Sequence, residues 1–151
     1  MSQALMIRPV ERTDVNAWER MRTALWPEAA ADHGPEIAKY FSADRTNPAE
    51  VLIACAGSGA PVGFVELSIR AYAEGCFSDR IAFVEGWFVE PGYRNRGAGT
   101  ALMAAAEEWA RATGCTELAS DTETHNETSI AAHKALGFEE VERIVCFRMA
   151  L

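Results

Sequence analysis

The chain has 151 residues, a length that predicts one domain over residues 1–151. With 49% apolar and 24% charged residues, its composition is that of an ordinary globular protein. Its 14 basic and 22 acidic residues give a net charge of −8, which has the wrong sign for binding a phosphate backbone, so nucleic acid is not predicted as a partner. The same charge favours a cationic ligand. Because no window approaches about 18 apolar residues and the N-terminus lacks a basic start before an apolar stretch, we expect a cytoplasmic protein with no membrane partner.

Cysteine and histidine spacing gives no sign of a metal centre. The cysteines are spread through apolar segments without a CxxC pair, and the three histidines form no paired ligand motif. We therefore predict no metal and reduced, mostly buried thiols at Cys55, Cys76, Cys115 and Cys146.

The N-terminal half predicts two helices followed by a hairpin. Apolar residues recur at helical spacing over residues 15–25, where Thr13 is a candidate N-cap, and Pro35 is expected to open a second short helix. A buried strand at residues 51–56 and a partner strand at residues 62–70 flank a turn of small residues. These two strands are predicted to pair as a hairpin.

The C-terminal half predicts a long, largely buried strand at residues 81–89 and an alanine-rich helix at residues 97–113. A short strand at residues 116–120 follows, and this order implies a right-handed crossover between parallel strands. Asn126 is expected to cap another helix, and residues 141–149 are predicted to form a last apolar strand. The fold class is therefore mixed α/β around one sheet.

The loop Arg-Asn-Arg-Gly-Ala-Gly at residues 94–99 lies between the long strand and the alanine-rich helix. Free backbone N–H groups and the positive end of the helix dipole favour an anion there, and Gly97 and Gly99 allow a diphosphate to approach closely. Arg94 and Arg96 can add charge-assisted contacts. The loop is neither a Walker P-loop nor GxGxxG, and on spacing alone an arginine-decorated turn is an equally good interpretation.

The loop follows a strand that ends in Val-x-Pro-x-Tyr-Arg, and Asn126 and the Ala-Leu-Gly-Phe of residues 135–138 come after it. This combination, over residues 81–149, resembles the Gcn5-related N-acetyltransferase superfamily. The resemblance implies a single-domain fold with a central, splayed, mostly antiparallel sheet flanked by helices, and acetyl-CoA as co-substrate. It also implies cofactor contacts, including the backbone of the strand and of the loop, at Phe88, Val89, Arg94, Asn95, Arg96, Gly97, Ala98, Gly99, Thr100, Asn126 and His133.

Further segments are similar to aminoglycoside 6′-N-acetyltransferases: Leu-Trp-Pro at residues 25–27, residues 84–89, residues 119–122 and residues 129–143. This similarity implies acetylation and inactivation of antibiotics such as kanamycin and tobramycin at the 6′-amine, by a homodimeric enzyme. Direct transfer needs no covalent intermediate. Two alternatives stay open: a related enzyme acting on a polyamine, an amino acid or a protein N-terminus, and a non-catalytic acyl-CoA-binding protein.

Carboxylates are needed to bind a polycation and to relieve one ammonium group of its proton. Glu85, within the long strand, and Asp121, after the next parallel strand, match carboxylates that face the aminoglycoside in the resembling family. Glu85 is a candidate base, directly or through water, and Asp121 a candidate anchor for the amine. The alternatives are a Glu85 paired with Arg70 and an Asp121 that caps a turn. Glu142 is a third candidate for the acidic wall, or a solvated charge.

Many members of the superfamily have a tyrosine where this chain has His133, and use it to protonate the departing thiolate. Histidine can donate that proton, but the departure from tyrosine puts this step in doubt, and a helix residue that merely packs near the cofactor is the favoured reading. Trp26 is a candidate floor for a sugar ring, and Tyr72 a candidate hydrogen-bond partner of the ligand. Their alternatives are core packing and a loop aromatic. The periodicity of the other three tryptophans assigns them to the core, namely Trp18, Trp87 and Trp109.

Overall fold

The computed structural model describes residues 4–42 and 47–151 and is built around one five-stranded sheet. In chain order the elements are β1 (Met6–Pro9), α1 (Val15–Leu25), α2 (Ala30–Tyr40), β2 (Glu50–Cys55), β3 (Pro61–Arg70), β4 (Ile81–Val89), α3 (Ala98–Ala112), β5 (Leu118–Ser120) and α4 (Glu127–Ala135). The strands follow one another in sequence order, antiparallel up to β4, and β5 joins β4 in parallel. The predicted mixed, mostly antiparallel fold is confirmed.

Helices cover both faces of the sheet, which explains why its central strands are apolar on both sides. On β2, Val51 and Ile53 point to one face and pack in the cluster that contains Trp18 of α1 and Ile37 of α2. Leu52 and Ala54 point to the other face and join the cluster that contains Leu102 and Met103 of α3. This burial on both faces holds the central strands of the sheet in fixed positions.

Strands β4 and β5 separate part of the way along their length. Their pairing is limited to Ala82, Phe83 and Val84 of β4 against the three residues of β5. On the other side of β4, Gly86 is opposite Glu66 while Val84 is opposite Leu67, so Glu85 is the extra residue of a β-bulge. The sheet therefore opens at Glu85, as the predicted splay requires.

The N-terminal half differs from the prediction in three places. β1 was not predicted, because its short apolar run gives little periodicity. Thr13 is not a cap: it lies within a 3₁₀ turn, Arg12–Asp14, where the carboxylate of Asp14 accepts from the backbone of Glu11 and satisfies a free N–H group. Pro35 lies inside α2, which begins earlier because the preceding 3₁₀ turn runs directly into the helix.

The predicted last strand over residues 141–149 is wrong for this chain. Residues 138–151 form neither helix nor strand, and apolar side chains along the segment are exposed, among them Ile144, Val145, Phe147 and Met149. An apolar strand needs a partner for its backbone groups and its apolar face, and the described part of this single chain offers it none. The cysteines are free thiols, and Cys146 in this segment is exposed rather than buried.

Across residues 4–42 and 47–151, no helix combines the length and the apolar character needed to cross a membrane.

Candidate active site

The loop before α3 ends in backbone N–H groups that have no helical acceptor. Gly97 caps the helix with a left-handed φ of 89°, which glycine adopts without steric cost, and a Cβ there would meet nothing within 4 Å. The first helical hydrogen bond runs from Ala101 N to Gly97 O, so the N–H groups of Ala98, Gly99 and Thr100 have no acceptor in the helix. This arrangement fits the diphosphate of a CoA thioester at the positive end of the α3 dipole.

Side chains around the loop shape this anion site. Asn95 also has a positive φ, 61°, which turns the chain towards the helix. The guanidinium of Arg94 packs on Phe88, and its Nε donates to Val89 O at 2.8 Å. Arg96 lies 6.0 Å from the ring of Tyr93. Both arginines therefore carry their positive charge on the loop that leads into α3.

The backbone of β4 offers hydrogen bonds along the opening. Glu90 N donates to Val62 O, so the pair of residues 90 and 62 is hydrogen-bonded, and in an antiparallel ladder such pairs alternate. Phe88 therefore turns its backbone groups towards β3, whereas Trp87 and Val89 turn theirs towards the side where β5 has diverged. A backbone hydrogen bond from Val89 to the cofactor therefore remains a prediction, whereas one from Phe88 is disfavoured. Trp87 is a further candidate for such a bond that the sequence did not indicate.

His133 lies beside this edge with both ring nitrogens occupied. Nδ1 is 2.7 Å from Ser129 O and carries the proton, because a carbonyl only accepts, and Nε2 is 2.8 Å from Ser120 Oγ. The ring packs edge-on against Trp87 at 5.3 Å. These contacts favour a packing role over proton donation. Asn126 caps α4 as predicted, its Oδ1 accepting from Ser129 N.

A cavity of about 500 Å³ opens between α1, α2 and the sheet. It combines an aromatic floor with three carboxylates, and its lining includes Trp18, Trp26, Arg22, His33, Glu36, Lys39, Glu66 and Glu85. Trp26 packs against Phe64, and Arg22 lies over the Trp26 ring at 5.3 Å. Aromatic rings and carboxylates together suit a ligand that has sugar rings and ammonium groups.

Glu85 reaches the cavity with both carboxylate oxygens engaged. Arg70 Nε donates to Oε1 at 3.0 Å and Arg70 Nη2 donates to Oε2 at 2.8 Å, while Ser68 Oγ also donates to Oε1. The pairing with Arg70 that the sequence analysis left open is therefore present. These contacts hold the carboxylate of Glu85 in one orientation, which suits a positioning role.

The remaining substrate candidates lie outside the cavity lining. Asp121 is exposed beyond β5, and its charge adds to that of Glu85 in raising the pKa of Arg70, so it lies within electrostatic range of Arg70. Tyr72 is exposed in the loop after β3, and Glu142 lies in the exposed C-terminal segment. The structure thus brings Trp26 and Glu85 together, places Asp121 nearby, and leaves Tyr72 and Glu142 apart.

Glu66 and Arg22 are cavity residues that the sequence analysis missed. Glu66 is buried, its Oε2 accepts from Trp18 Nε1 at 3.0 Å, and Arg22 Nε lies 3.0 Å from the same oxygen. Burial raises the pKa of Glu66 to about 7, although Arg22 and the Trp18 hydrogen bond oppose this. The available signal was one acidic residue within the apolar strand β3.

Comparison with known proteins places this fold and site in a class. Residues 17–138 match the family described as Acetyltransferase (GNAT) family, and the chain belongs to it. It is 51% identical, over 152 aligned residues covering 100% of each chain, to an aminoglycoside N(6′)-acetyltransferase type 1 of Klebsiella aerogenes. The GNAT recognition is confirmed.

Solved structures agree with this relationship over the whole chain. An aminoglycoside N-acetyltransferase, AAC(6′)-Iy, in complex with CoA is 37% identical with a TM-score of 0.90, covering 100% of this chain and 98% of that one. The same enzyme in complex with the bisubstrate analogue CoA-S-monomethyl-acetylneamine has a TM-score of 0.84, with 37% identity over 98% of this chain and 99% of that one.

Proposed function

We propose that the chain transfers the acetyl group of acetyl-CoA directly to the 6′-amine of aminoglycoside antibiotics and so confers resistance to them. The observation that carries this proposal is the acidic, tryptophan-floored cavity at the point where the cofactor edge of β4 opens. The names of the relatives and the bisubstrate complex of AAC(6′)-Iy support it. Four free thiols favour a reducing compartment, and we place the enzyme in the cytoplasm.

Each part of the site has a task in this reaction. The N–H groups of Ala98, Gly99 and Thr100 bind the diphosphate, and the backbone groups of Trp87 and Val89 align the pantetheine arm along β4. When bound, acetyl-CoA supplies the electrophilic thioester. Trp26 supports a sugar ring, and the carboxylates of Glu85 and Asp121 orient the cationic substrate. The bidentate ion pair with Arg70 keeps Glu85 fixed at the bulge while the amine attacks.

The proposal is tested by following thiol release from acetyl-CoA with kanamycin A, amikacin, spermidine and a peptide amine as acceptors, and by locating the acetyl group by NMR. Acetyl on the 6′ nitrogen of kanamycin A is the expected result. Release with spermidine or the peptide alone would assign another acceptor class. Binding of acetyl-CoA without release for any amine would instead indicate a non-catalytic binder.

Replacing Asp121 with asparagine is expected to lower kcat/KM for kanamycin A by about 10- to 100-fold. The change removes one charged contact to the substrate amine, of a kind that contributes roughly 1.5–3 kcal/mol. Steady-state kinetics measure the loss. The matched control is Asp32→Asn, an exposed position of α2 outside the cavity lining, and it should keep wild-type kinetics. An Asp121→Asn variant with unchanged kcat/KM would remove Asp121 from the site.

We also propose that the enzyme is a homodimer held together in part by the C-terminal segment, residues 141–151. Its apolar side chains at positions 145, 147, 149 and 151 alternate with Cys146, Arg148 and Ala150, the period of a strand with one apolar face. Phe147 is 93% exposed in the single chain. A second copy of the chain would cover this apolar face.

Light scattering after size exclusion should therefore give twice the chain mass of 16.5 kDa. Phe147→Asp is expected to shift the species towards the monomer, because it places a charge on the covered apolar face. Arg148→Asp, which reverses a charge on the other side of the same segment, is the matched control and should leave the mass unchanged. A wild-type monomer at micromolar concentration would contradict the proposed dimer.

A further inference from the structure

One face of β3 carries a row of three polar side chains, and the reaction proposed above does not give each of them a role. Glu66, Ser68 and Arg70 alternate with the apolar Leu67 and Ile69 and so point to the same side of the sheet. Ser68 and Arg70 both hold Glu85, which enters the row from the bulge of β4. Glu66 stands at the inner end of the row, opposite Gly86, and makes contacts of a different kind.

The contacts of Glu66 converge on one of its two oxygens. Trp18 Nε1 donates to Oε2, and Arg22 Nε lies 3.0 Å from it. Arg22 in turn donates to Glu36 Oε2 at 2.5 Å, so its charge is shared between two carboxylates. The other oxygen of Glu66, Oε1, accepts no hydrogen bond from residues 4–42 and 47–151. The side chain is only 3% exposed, and it lines the cavity.

Titratable groups from three neighbouring elements line the cavity around this carboxyl. Arg22 comes from α1, Glu36, Lys39 and His33 line the cavity from α2, and Glu85 does so from β4. Desolvation is the largest effect on Glu66, and the charges of Glu36 and Glu85 raise its pKa further, to about 7. A general base is most effective when its pKa is close to the working pH.

Glu66 and Glu85 therefore suit different tasks. Both oxygens of Glu85 already accept hydrogen bonds, from Ser68 and from Arg70. Glu66 has an oxygen outside its ion pair and faces the cavity where β4 opens. The cationic amine must lose a proton at this place before it can attack.

We propose that Glu66 is the carboxylate that accepts the proton lost by the acceptor ammonium group, an inference that rests on the acetyl transfer proposed above. The N–H bond of the ammonium breaks, its electron pair stays on nitrogen, and an O–H bond forms at Glu66 Oε1. The neutral amine then attacks the thioester carbonyl, the C–S bond breaks, and the second proton leaves nitrogen for the thiolate sulfur. Glu66 returns its proton to solvent through the cavity mouth.

The test compares wild type, Glu66→Gln and Glu66→Asp in pH profiles of kcat/KM and in kcat at saturating kanamycin A. Glutamine keeps the size and an oxygen for the Trp18 bond but cannot accept the proton. We expect kcat to fall by about 100-fold with KM changed less than about threefold, since general bases contribute roughly 10²–10⁴. The low-pH limb of the wild-type profile should disappear. Glu66→Asp should keep that limb at a reduced rate.

The matched control is Glu50→Gln, a partly buried strand glutamate that also accepts from an aromatic side chain, Tyr40, but lies outside the cavity lining. Its kinetics should equal those of wild type. A Glu66→Gln variant that is merely less heat-stable and keeps the wild-type kcat and low-pH limb would overturn the proposal. If wild type acetylates only spermidine or the peptide amine, the aminoglycoside assignment fails, and the same comparison on that amine decides the role of Glu66. If no amine is acetylated, both proposals fail.

Discussion

Replacing Gly86 with alanine is expected to raise KM for kanamycin A at least about tenfold and to destabilise the fold. The physical reason is the close approach of Trp26 to the backbone of β4: a Cβ at residue 86 would lie 2.4 Å from Trp26 Cη2 and 2.8 Å from Cζ2. Such overpacking costs about 1–3 kcal/mol. Because the Trp26 ring lines the cavity, its displacement also removes the floor on which a sugar ring would rest. Steady-state kinetics and urea unfolding measure the two effects.

Two further variants separate the floor from general damage to the strand. Gly92→Ala is the matched control, since a Cβ there meets nothing within 4 Å, and its stability should stay within about 0.5 kcal/mol of wild type. Gly86→Ala combined with Trp26→Phe relieves the clash, so the double variant should be about as stable as Trp26→Phe alone. If Gly86→Ala itself binds and folds like wild type, Trp26 does not occupy a fixed place against β4.

The central strands of the sheet and the loop before α3 could be predicted from local signals. The β4 bounds agree with the predicted residues 81–89, because an apolar run stopped by Pro-Gly fixes both ends of the strand. Gly97 has the left-handed φ that makes glycine useful at the head of α3. Both signals act within a few residues, which is why one sequence is enough to find them.

The parts that could not be predicted depend on partners distant in sequence. The strand pattern after residue 141 is real, but whether a strand forms depends on a partner that the single chain lacks. Glu85 and Arg70 were both named, yet only the β-bulge decides that their side chains meet. The role of Glu66 could not be predicted, because its ion-pair partner Arg22 is 44 residues away in the sequence. A contact at that separation leaves no local sequence pattern.

Glu66 should also make the stability of the protein depend on pH in a particular direction. Its pKa is raised from 4.5 to about 7 in the folded chain, so between these values the folded state binds more protons than the unfolded state. Stability from this group is therefore complete at or below about pH 4.5, is lost as the pH rises towards 7, and does not change further above that. At about 1.4 kcal/mol per pH unit, the loss is on the order of 3 kcal/mol.

The measurement is the free energy of unfolding in urea for wild type and Glu66→Gln at several pH values from 4.5 to 8.5. Since all other groups are shared, the difference between the two proteins should shift in favour of the variant by the stated amount as the pH rises. Trp18→Phe removes a hydrogen bond that lowers the pKa of Glu66, so it should extend the pH-dependent window upwards. A difference that is constant with pH would show that folding does not raise the pKa of Glu66. Ionising Glu66 in the cavity would then not lower the free energy of unfolding. The proposal that Glu66 is the base would lose its electrostatic support.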